Sequence, residues 1–260
     1  MRLTHIGGPT ILIELDGWRI LSDPTFDPAG RTYSFGLGTT STKLTGPAVS
    51  PDDLGRIDVV LISHDHHGDN LDDAGREVLQ SAGVVVTNPS AAARLGSGSR
   101  GIAAGETCVL DGDGERPALR ITATPCRHGP PLSRPLVGHV VGFVLGTGPG
   151  GRDDVWVTGD TVPFRGVEKA ADRLDVALTV VHLGEVRFPL TGPLRYSLTA
   201  EDGLRLADRS GAHTIVPVHY EGWSHFHQGR SELDRAIAAA PPDLRRRVRV
   251  LPIGEPTDVA

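Results

Sequence analysis

Short runs in which apolar and polar residues alternate dominate the first part of the chain, a period of two that predicts β-strands. Thr10–Leu15 is such a run, Asp16-Gly17 is a tight-turn pair and Trp18–Ser22 runs back, so a hairpin is expected here, ended by Asp23-Pro24. Residues 25–52 are rich in Gly, Pro, Ser and Thr and lack periodicity. A loop of that length in a compact domain is expected to be functional, and this one is placed to cover an active site. Ile57–Ile62 is mostly apolar, as a strand buried on both faces requires. Leu71–Ser81 sets Leu71, Ala74, Val78 and Leu79 on one side of a predicted helix. Val84–Thr87 reads as a strand, and Ser90–Leu95 as a short helix with Ser90 at its N-cap. Strands follow at Thr107–Leu110, Leu119–Thr124, Val137–Leu145 and Asp154–Thr158, the last two joined by a turn over Gly148–Gly151. Beyond Asp160 the elements alternate: strand Val176–Val181, helix Ala200–Arg209, strand Thr214–Val218, helix Ser231–Ala239 and strand Val248–Pro252.

A β-rich half followed by a βαβα half predicts two sheets with helices on their outer faces. This is an α/β (α+β) fold, a four-layer αββα sandwich, in one domain over residues 1–260 with no linker to divide it. Among the 260 residues, 38% are hydrophobic, enough for a sizeable core, and 22% are charged, which argues against a disordered chain. The net charge of −6 excludes a general binder of nucleic acid or anionic membrane. The one basic run, Arg245-Arg246-Arg247, reads as a solvated helix end. Two cysteines, Cys108 and Cys126, are too few for a disulfide scaffold and point to reduced thiols in the cytoplasm. The first residues lack the apolar core of a signal peptide, and no run approaches the roughly 20 apolar residues of a membrane span.

The candidate chemistry lies in Ser63-His64-Asp65-His66-His67-Gly68-Asp69-Asn70, where a buried strand ends and a helix begins. Ligand sites of α/β folds gather at the carboxyl ends of strands. His64 and His66, two apart in a turn, are expected to face one ion. A catalytic zinc takes about four N, O or S ligands, one position staying open for water, so further ligands must come from other strand ends. His128 after Leu119–Thr124, Asp160 after Val155–Thr158 and His219 after Ile215–Val218 stand at such ends, and Gly129 and Gly159 let the backbone bend beside two of them.

In this order (H-x-H, then His-Gly, then Gly-Asp-Thr, then a late Val-His) the chain resembles the metallo-β-lactamase fold superfamily over nearly its whole length, from Asp16-Gly17 to His219. The early Asp23-Pro24, the Gly-Asp-Thr and the Pro-Val-His-Tyr are most similar to the branch containing N-acylphosphatidylethanolamine-hydrolysing phospholipase D and L-ascorbate-6-phosphate lactonase. The resemblance implies an αββα sandwich and one or two metal ions, zinc in the first place with Mn²⁺ or Fe²⁺ as alternatives. It departs at one point, because the family pattern is H-x-H-x-D-H. With one residue inserted, Asp69 takes the place of the family Asp and Asn70 that of the last His. The expectation is a first ion on His64, His66, His128 and Asp160, and a second, weakened site on Asp69, Asp160 and His219, with His67 as a substitute ligand. Asp69 and His219 are expected at the chemical step, Asp69 by orienting a water and taking its proton. A bound zinc lowers the pKa of that water to about 7.

The expected function is that of a metal-dependent hydrolase acting on a small ester, lactone, amide or phosphodiester. A metal-binding but non-catalytic or regulatory member of the same fold is the alternative, since Asn70 removes a ligand. His67, Asn70, Glu221, Trp223 and His225 are read as pocket residues, and Arg127, Arg187 and Arg195 as candidate contacts to an anionic group. Asp23 is read as a buried acceptor that orients a ligand histidine, Cys126 as a packed thiol, and His5, His139, His182 and His213 as structural or solvated. The expected partner is a small-molecule substrate, with no nucleic acid; a homo-oligomer is left open.

Overall fold

The strands Thr10–Leu15, Val59–Ile62 and Thr214–Val218 divide their odd and even positions between two different hydrophobic cores. The protein is seen in a computed structural model that describes residues 1–36, 38–131, 133, 137–148 and 153–259. Its strands are β1 (Arg2–Gly7), β2 (Thr10–Leu15), β3 (Trp18–Ser22), β4 (Thr32–Ser34), β5 (Thr40–Thr42), β6 (Val59–Ile62), β7 (Val84–Thr87), β8 (Ser99–Gly101), β9 (Thr107–Leu110), β10 (Leu119–Pro125), β11 (Val141–Gly146), β12 (Val155–Val157), β13 (Leu178–His182), β14 (Thr214–Val218) and β15 (Thr257–Asp258). They form one sheet in the order β15-β1-β2-β3-β6-β7-β8, a second in the order β14-β13-β12-β11-β10-β9, and the small pair β4-β5.

Ile11 and Ile13 of β2, Val59 and Leu61 of β6, Leu119 and Ile121 of β10 and Val216 and Val218 of β14 share one core, which therefore lies between the two large sheets. The alternate residues Leu12, Val60 and Ile62 pack outward against Leu71 and Val78. Trp156, Val181 and Ile215 pack outward the other way, against Val167, Leu204, Leu233 and Leu244. Those residues lie on or beside the helices α1 (Asp73–Val78), α2 (Pro89–Leu95), α3 (Arg165–Ala171), α4 (Ala200–Arg209), α5 (Arg230–Ala239) and α6 (Pro242–Arg247). Three cores between four layers make the αββα sandwich that a period of two, flanked by amphipathic helices, requires.

Several boundaries differ from the sequence pattern. The helix expected over 71–81 is confined to α1 because Asp72 caps it, accepting from Gly75 N. Asn88 rather than Ser90 caps α2, and Pro89 takes the first helical position, where a missing N–H costs nothing. The strand expected over 137–145 begins only at Val141, and α3 carries no signal that the periodicity caught. The expected strand Val248–Pro252 makes only an isolated bridge from Val248 to Ile215, and β15 is the last strand instead. The segment 25–52 is structured rather than irregular, with β4 and β5 forming a hairpin and Pro51–Asp53 a 3₁₀ turn. Most of the turn expected over 148–151 lies outside the described residues. No helix among the described residues is long and apolar enough to cross a membrane.

Candidate metal centre

The stretch after β6 coils instead of extending, and this decides which histidine faces inward. Asn70 N and Leu71 N both donate to His67 O, at 3.1 and 3.0 Å, a tight coil in which residues three apart share a side. His67 Nδ1 accordingly lies 3.0 Å from His64 Nε2 and 3.2 Å from His128 Nε2. All three rings are buried. Asp65 is turned away, gripped by Arg94 at 2.9 and 2.5 Å, and His66 goes with it. Its side chain is 33% exposed, with Nδ1 3.4 Å from Arg94 Nη2. The ring lies over Gly138, where a Cβ would fall 2.4 Å from it. His66, expected in the first donor group, is thus outside it, and His67 stands in its place. The inserted residue falls between His64 and His67.

Burial keeps these three imidazoles neutral. It holds His64 well below its ordinary value and brings His67 down to about 4 and His128 to about 3. His128 Nδ1 donates to Tyr196 O at 2.7 Å, so the lone pair on Nε2 points into the cluster. Neutral imidazoles with inward lone pairs are the donors a zinc-type cation takes.

Asp69, Asp160 and His219 form a second group, with His219 Nε2 3.5 Å from Asp69 Oδ2 and 3.5 Å from Asp160 Oδ2. This is the second triad the sequence led us to expect; Asp160, expected in both groups, falls in this one and not beside the first histidines. Ligand atoms of each triad lie within 4.8 Å of one another. His219 Nδ1 donates to Leu183 O at 3.1 Å, which again leaves Nε2 facing inward. Asp69 Oδ1, both oxygens of Asp160 and His219 Nε2 are buried with no hydrogen-bond partner of ordinary geometry. Buried polar atoms left so are rare and costly, and a cation between them is what their chemistry calls for. Without one, burial pushes Asp160 up to about 7 against the attraction of His219. Burial likewise opposes a charge on His219, yet Asp160 and Asp69 carry it up to about 9. The backbone bears strain to place these groups: His219 has φ 60°, in the region glycine favours. Gly159, before Asp160, has φ 62°, and a Cβ there would fall 2.7 Å from Val141 O.

Asn70 is buried but belongs to neither group; its amide donates to Ser63 Oγ at 3.4 Å and its Oδ1 has no partner. Of the remaining pocket expectations, His225 Nε2 lies 2.9 Å from Asp69 Oδ2, and its Nδ1 meets Ser41 Oγ of the 25–52 segment. Glu221 accepts instead from Gly8 N. Trp223 is buried against Tyr33 and His225, at 5.2 and 6.1 Å between ring centres. Neither lines the opening. That opening is a cavity of about 490 Å³ over His67 and His128, walled by Phe35, Val137, Phe188, Leu194 and Tyr196. Part of the loop 129–136 expected to shape it lies outside the described residues.

Sequence reasoning missed Ser41, Phe35 and the pair Asp23–His182. Asp23 Oδ1 accepts from Ser63 N at 2.7 Å and so fixes the backbone before His64, while Oδ2 faces His182 Nε2 at 3.5 Å. Asp23 therefore orients the ligand-bearing loop, not a ligand ring. His182 is the last residue of β13 and His219 follows the last residue of β14, so a strand-end position was the signal available. Cys126 is a half-buried residue whose Sγ donates to Thr158 O at 3.1 Å, with desolvation of the thiol pushing its pKa well up.

The family model of the beta-lactamase superfamily domain matches residues 18–220, which span both donor groups. The chain belongs to that superfamily. This beta-lactamase superfamily chain is 27% identical over 263 residues to a UPF0173 metal-dependent hydrolase of Pelotomaculum thermopropionicum, covering 98% of each. Its fold superposes on an isothiocyanate hydrolase from Delia radicum gut bacteria with a TM-score of 0.79 at 22% identity, covering 99% of both chains. On a metallo hydrolase from the archaeon Ignicoccus hospitalis the TM-score is 0.71 at 22% identity, covering 98% of this chain and 97% of that one. These likenesses establish the αββα fold that carries the two donor groups of this superfamily member.

Proposed function

We propose that this chain is a metal-dependent hydrolase in which His64, His67 and His128 hold one divalent cation and Asp69, Asp160 and His219 a second. The reading rests on one observation: two buried triads of metal-type donors, several atoms of the second without any partner, lie at strand ends, and the first opens on a cavity. Zinc suits the all-imidazole triad, with Mn²⁺ or Fe²⁺ as alternatives for the carboxylate-rich one. A bound cation supplies Lewis-acid charge and lowers the pKa of water at the site.

The chain's own groups do the rest. His128, fixed through Nδ1 by Tyr196 O, keeps its ring edge toward the centre. Asp69 orients the attacking water and takes its proton on Oδ1, the oxygen left without a partner, while His225 holds Oδ2. Burial opposes the charge on Asp69, but His219 at 3.5 Å and the hydrogen bond from His225 hold the carboxyl well below its usual range, so it is ionised. His219 is anchored by Leu183 O and presents Nε2 between the two carboxylates. Phe35 and Phe188 shield His225 from solvent, with ring centres at 5.0 and 5.3 Å.

The substrate is proposed as a small molecule with an ester, lactone, amide or phosphodiester bond. An aryl isothiocyanate belongs in the same panel, because a relative of the same fold is an isothiocyanate hydrolase. The test is metal analysis of the purified chain, followed by that panel with and without a chelator. Turnover that a chelator abolishes and added Zn²⁺ restores is the expected result. Metal bound with no turnover on any class favours the non-catalytic reading, and a chain that binds no divalent cation overturns both.

A further inference from the structure

Resting on that hydrolase reading, we propose that the group flanking the scissile bond on the cavity side is uncharged and apolar, aromatic or alkyl. The cavity over His67 and His128 is walled mainly by carbon. Phe35 stands 5.0 Å from the His67 ring and 5.3 Å from Phe188, and Phe188 meets Tyr196 edge-on at 5.7 Å. Together with Val137, these rings form a small hydrophobic cluster separate from the three cores of the sandwich. The wall continues outward into Leu194, 42% exposed, and Leu190, 69% exposed, an apolar rim that water alone does not favour.

The serine and threonine hydroxyls of the wall already donate to backbone carbonyls. Thr39 Oγ1 donates to Gly36 O at 2.7 Å, Ser133 Oγ to His128 O at 2.9 Å and Thr191 Oγ1 to Phe188 O at 3.2 Å. No Lys, Arg, Asp or Glu lines the cavity among the described residues. None of the three arginines that the sequence offered to an anion lines this cavity, although Arg127 lines a second one that shares His128. Arg127 donates to Pro163 O at 3.0 Å and lies over Phe164, Arg187 pairs with Glu185, and Arg195 pairs with Asp202 at 3.1 Å. An anionic tail entering this space loses its hydration and gains no charged partner, whereas a phenyl or alkyl group gains by every carbon buried.

Two hydroxamic acids with the same metal-binding head and different tails read this directly. Titration calorimetry on the zinc-loaded protein compares 3-phenylpropanohydroxamic acid with glutaric monohydroxamate. The phenyl tail is expected to bind about 10- to 100-fold more tightly, the discrimination that an apolar pocket supplies. Phe188→Ala shrinks that ratio and Phe188→Leu, which keeps an apolar wall, retains most of it. Leu194→Ala at the exposed rim serves as a second reporter if Phe188→Ala fails to fold. Equal or tighter binding of the acidic tail overturns the inference, as does failure of both compounds to bind. An acidic-tail preference that Arg134→Ala abolishes overturns it too, and assigns selection to a cation at position 134. If the phenyl preference holds while no ester, lactone, amide, phosphodiester or isothiocyanate is turned over, the pocket inference stands and the hydrolase reading falls.

Discussion

His225 Nε2 lies 2.9 Å from Asp69 Oδ2, and that contact ties a loop after β14 to the turn after β6. Its other nitrogen meets Ser41 Oγ. The serine hydroxyl fixes the tautomer, Nε2–H donates to Asp69 Oδ2, and Oδ1 is left without a hydrogen-bond partner. His225→Ala is expected to weaken one bound metal by about 10- to 100-fold, the usual effect of losing such an orienting partner. His225→Gln, which can still donate, recovers part of it. Competition with a chromophoric chelator measures both, and unchanged affinity in His225→Ala would show that Asp69 is held without it.

His66 and His67 are neighbours in sequence with opposite surroundings. His67→Ala removes an inward imidazole, so metal stoichiometry falls and activity drops by more than the about 100-fold that an outer partner costs. His66→Ala, on a side chain 33% exposed, leaves the metal content intact and shifts stability by about 0.5 kcal/mol or less. Metal analysis and thermal melts on the two variants check this; a reversed order would place the wrong histidine inside.

Asp160 is fully buried with neither oxygen partnered. In the metal-free protein that carboxylate is a liability, since an unsatisfied buried polar group costs about 1–3 kcal/mol and a charged one more. Metal-free Asp160→Asn is therefore expected to melt no lower than the metal-free parent. Added Zn²⁺ raises the parent's melting temperature by mass action and raises that of the variant far less. Calorimetry with and without a chelator decides; equal metal-induced stabilisation in the two proteins sinks the assignment of Asp160 as a ligand.

Lys43 Nζ and Asp72 Oδ2 form an ion pair at 2.9 Å with side chains 4% and 0% exposed. Asp72 also accepts from the backbone N–H groups of Phe26, Asp27 and Gly75, at 2.8, 2.7 and 2.8 Å. The cluster fastens the 25–52 segment to the start of α1. Lys43→Met leaves a buried carboxylate short of its cation and is expected to cost about 3 kcal/mol. Because Ser41 is two residues away, the same change should also loosen His225. Denaturant unfolding and metal affinity measured together test the coupling; a loss of stability with unaltered metal affinity would separate the two.

The architecture was legible because it depends on periodicity. Alternation over β2, β6, β10 and β14 fixes which side chains enter the central core, and a slip of one residue would turn every one of them to the wrong layer. The hairpin at Asp16-Gly17 was equally plain from turn chemistry, and the helix expected over Ala200–Arg209 has those bounds. Less was legible where an element's end depends on a single capping bond, as at Asp72 and Asn88.

By itself the sequence determined the sandwich, the strand-end positions of His64, His128, Asp160 and His219, and the need for a ligand beyond them. Only the tertiary structure decided that His67 and not His66 enters the first group, that Asp160 stays out of it, and that His225, Glu221 and Trp223 turn away from the cavity. The physical reason is that strand periodicity is local, while the direction of a side chain in a coil is set by what grips its neighbours. Arg94 on Asp65, the bare Cα of Gly138 under His66 and Ser41 on His225 come from segments far along the chain, and no spacing within the motif encodes them.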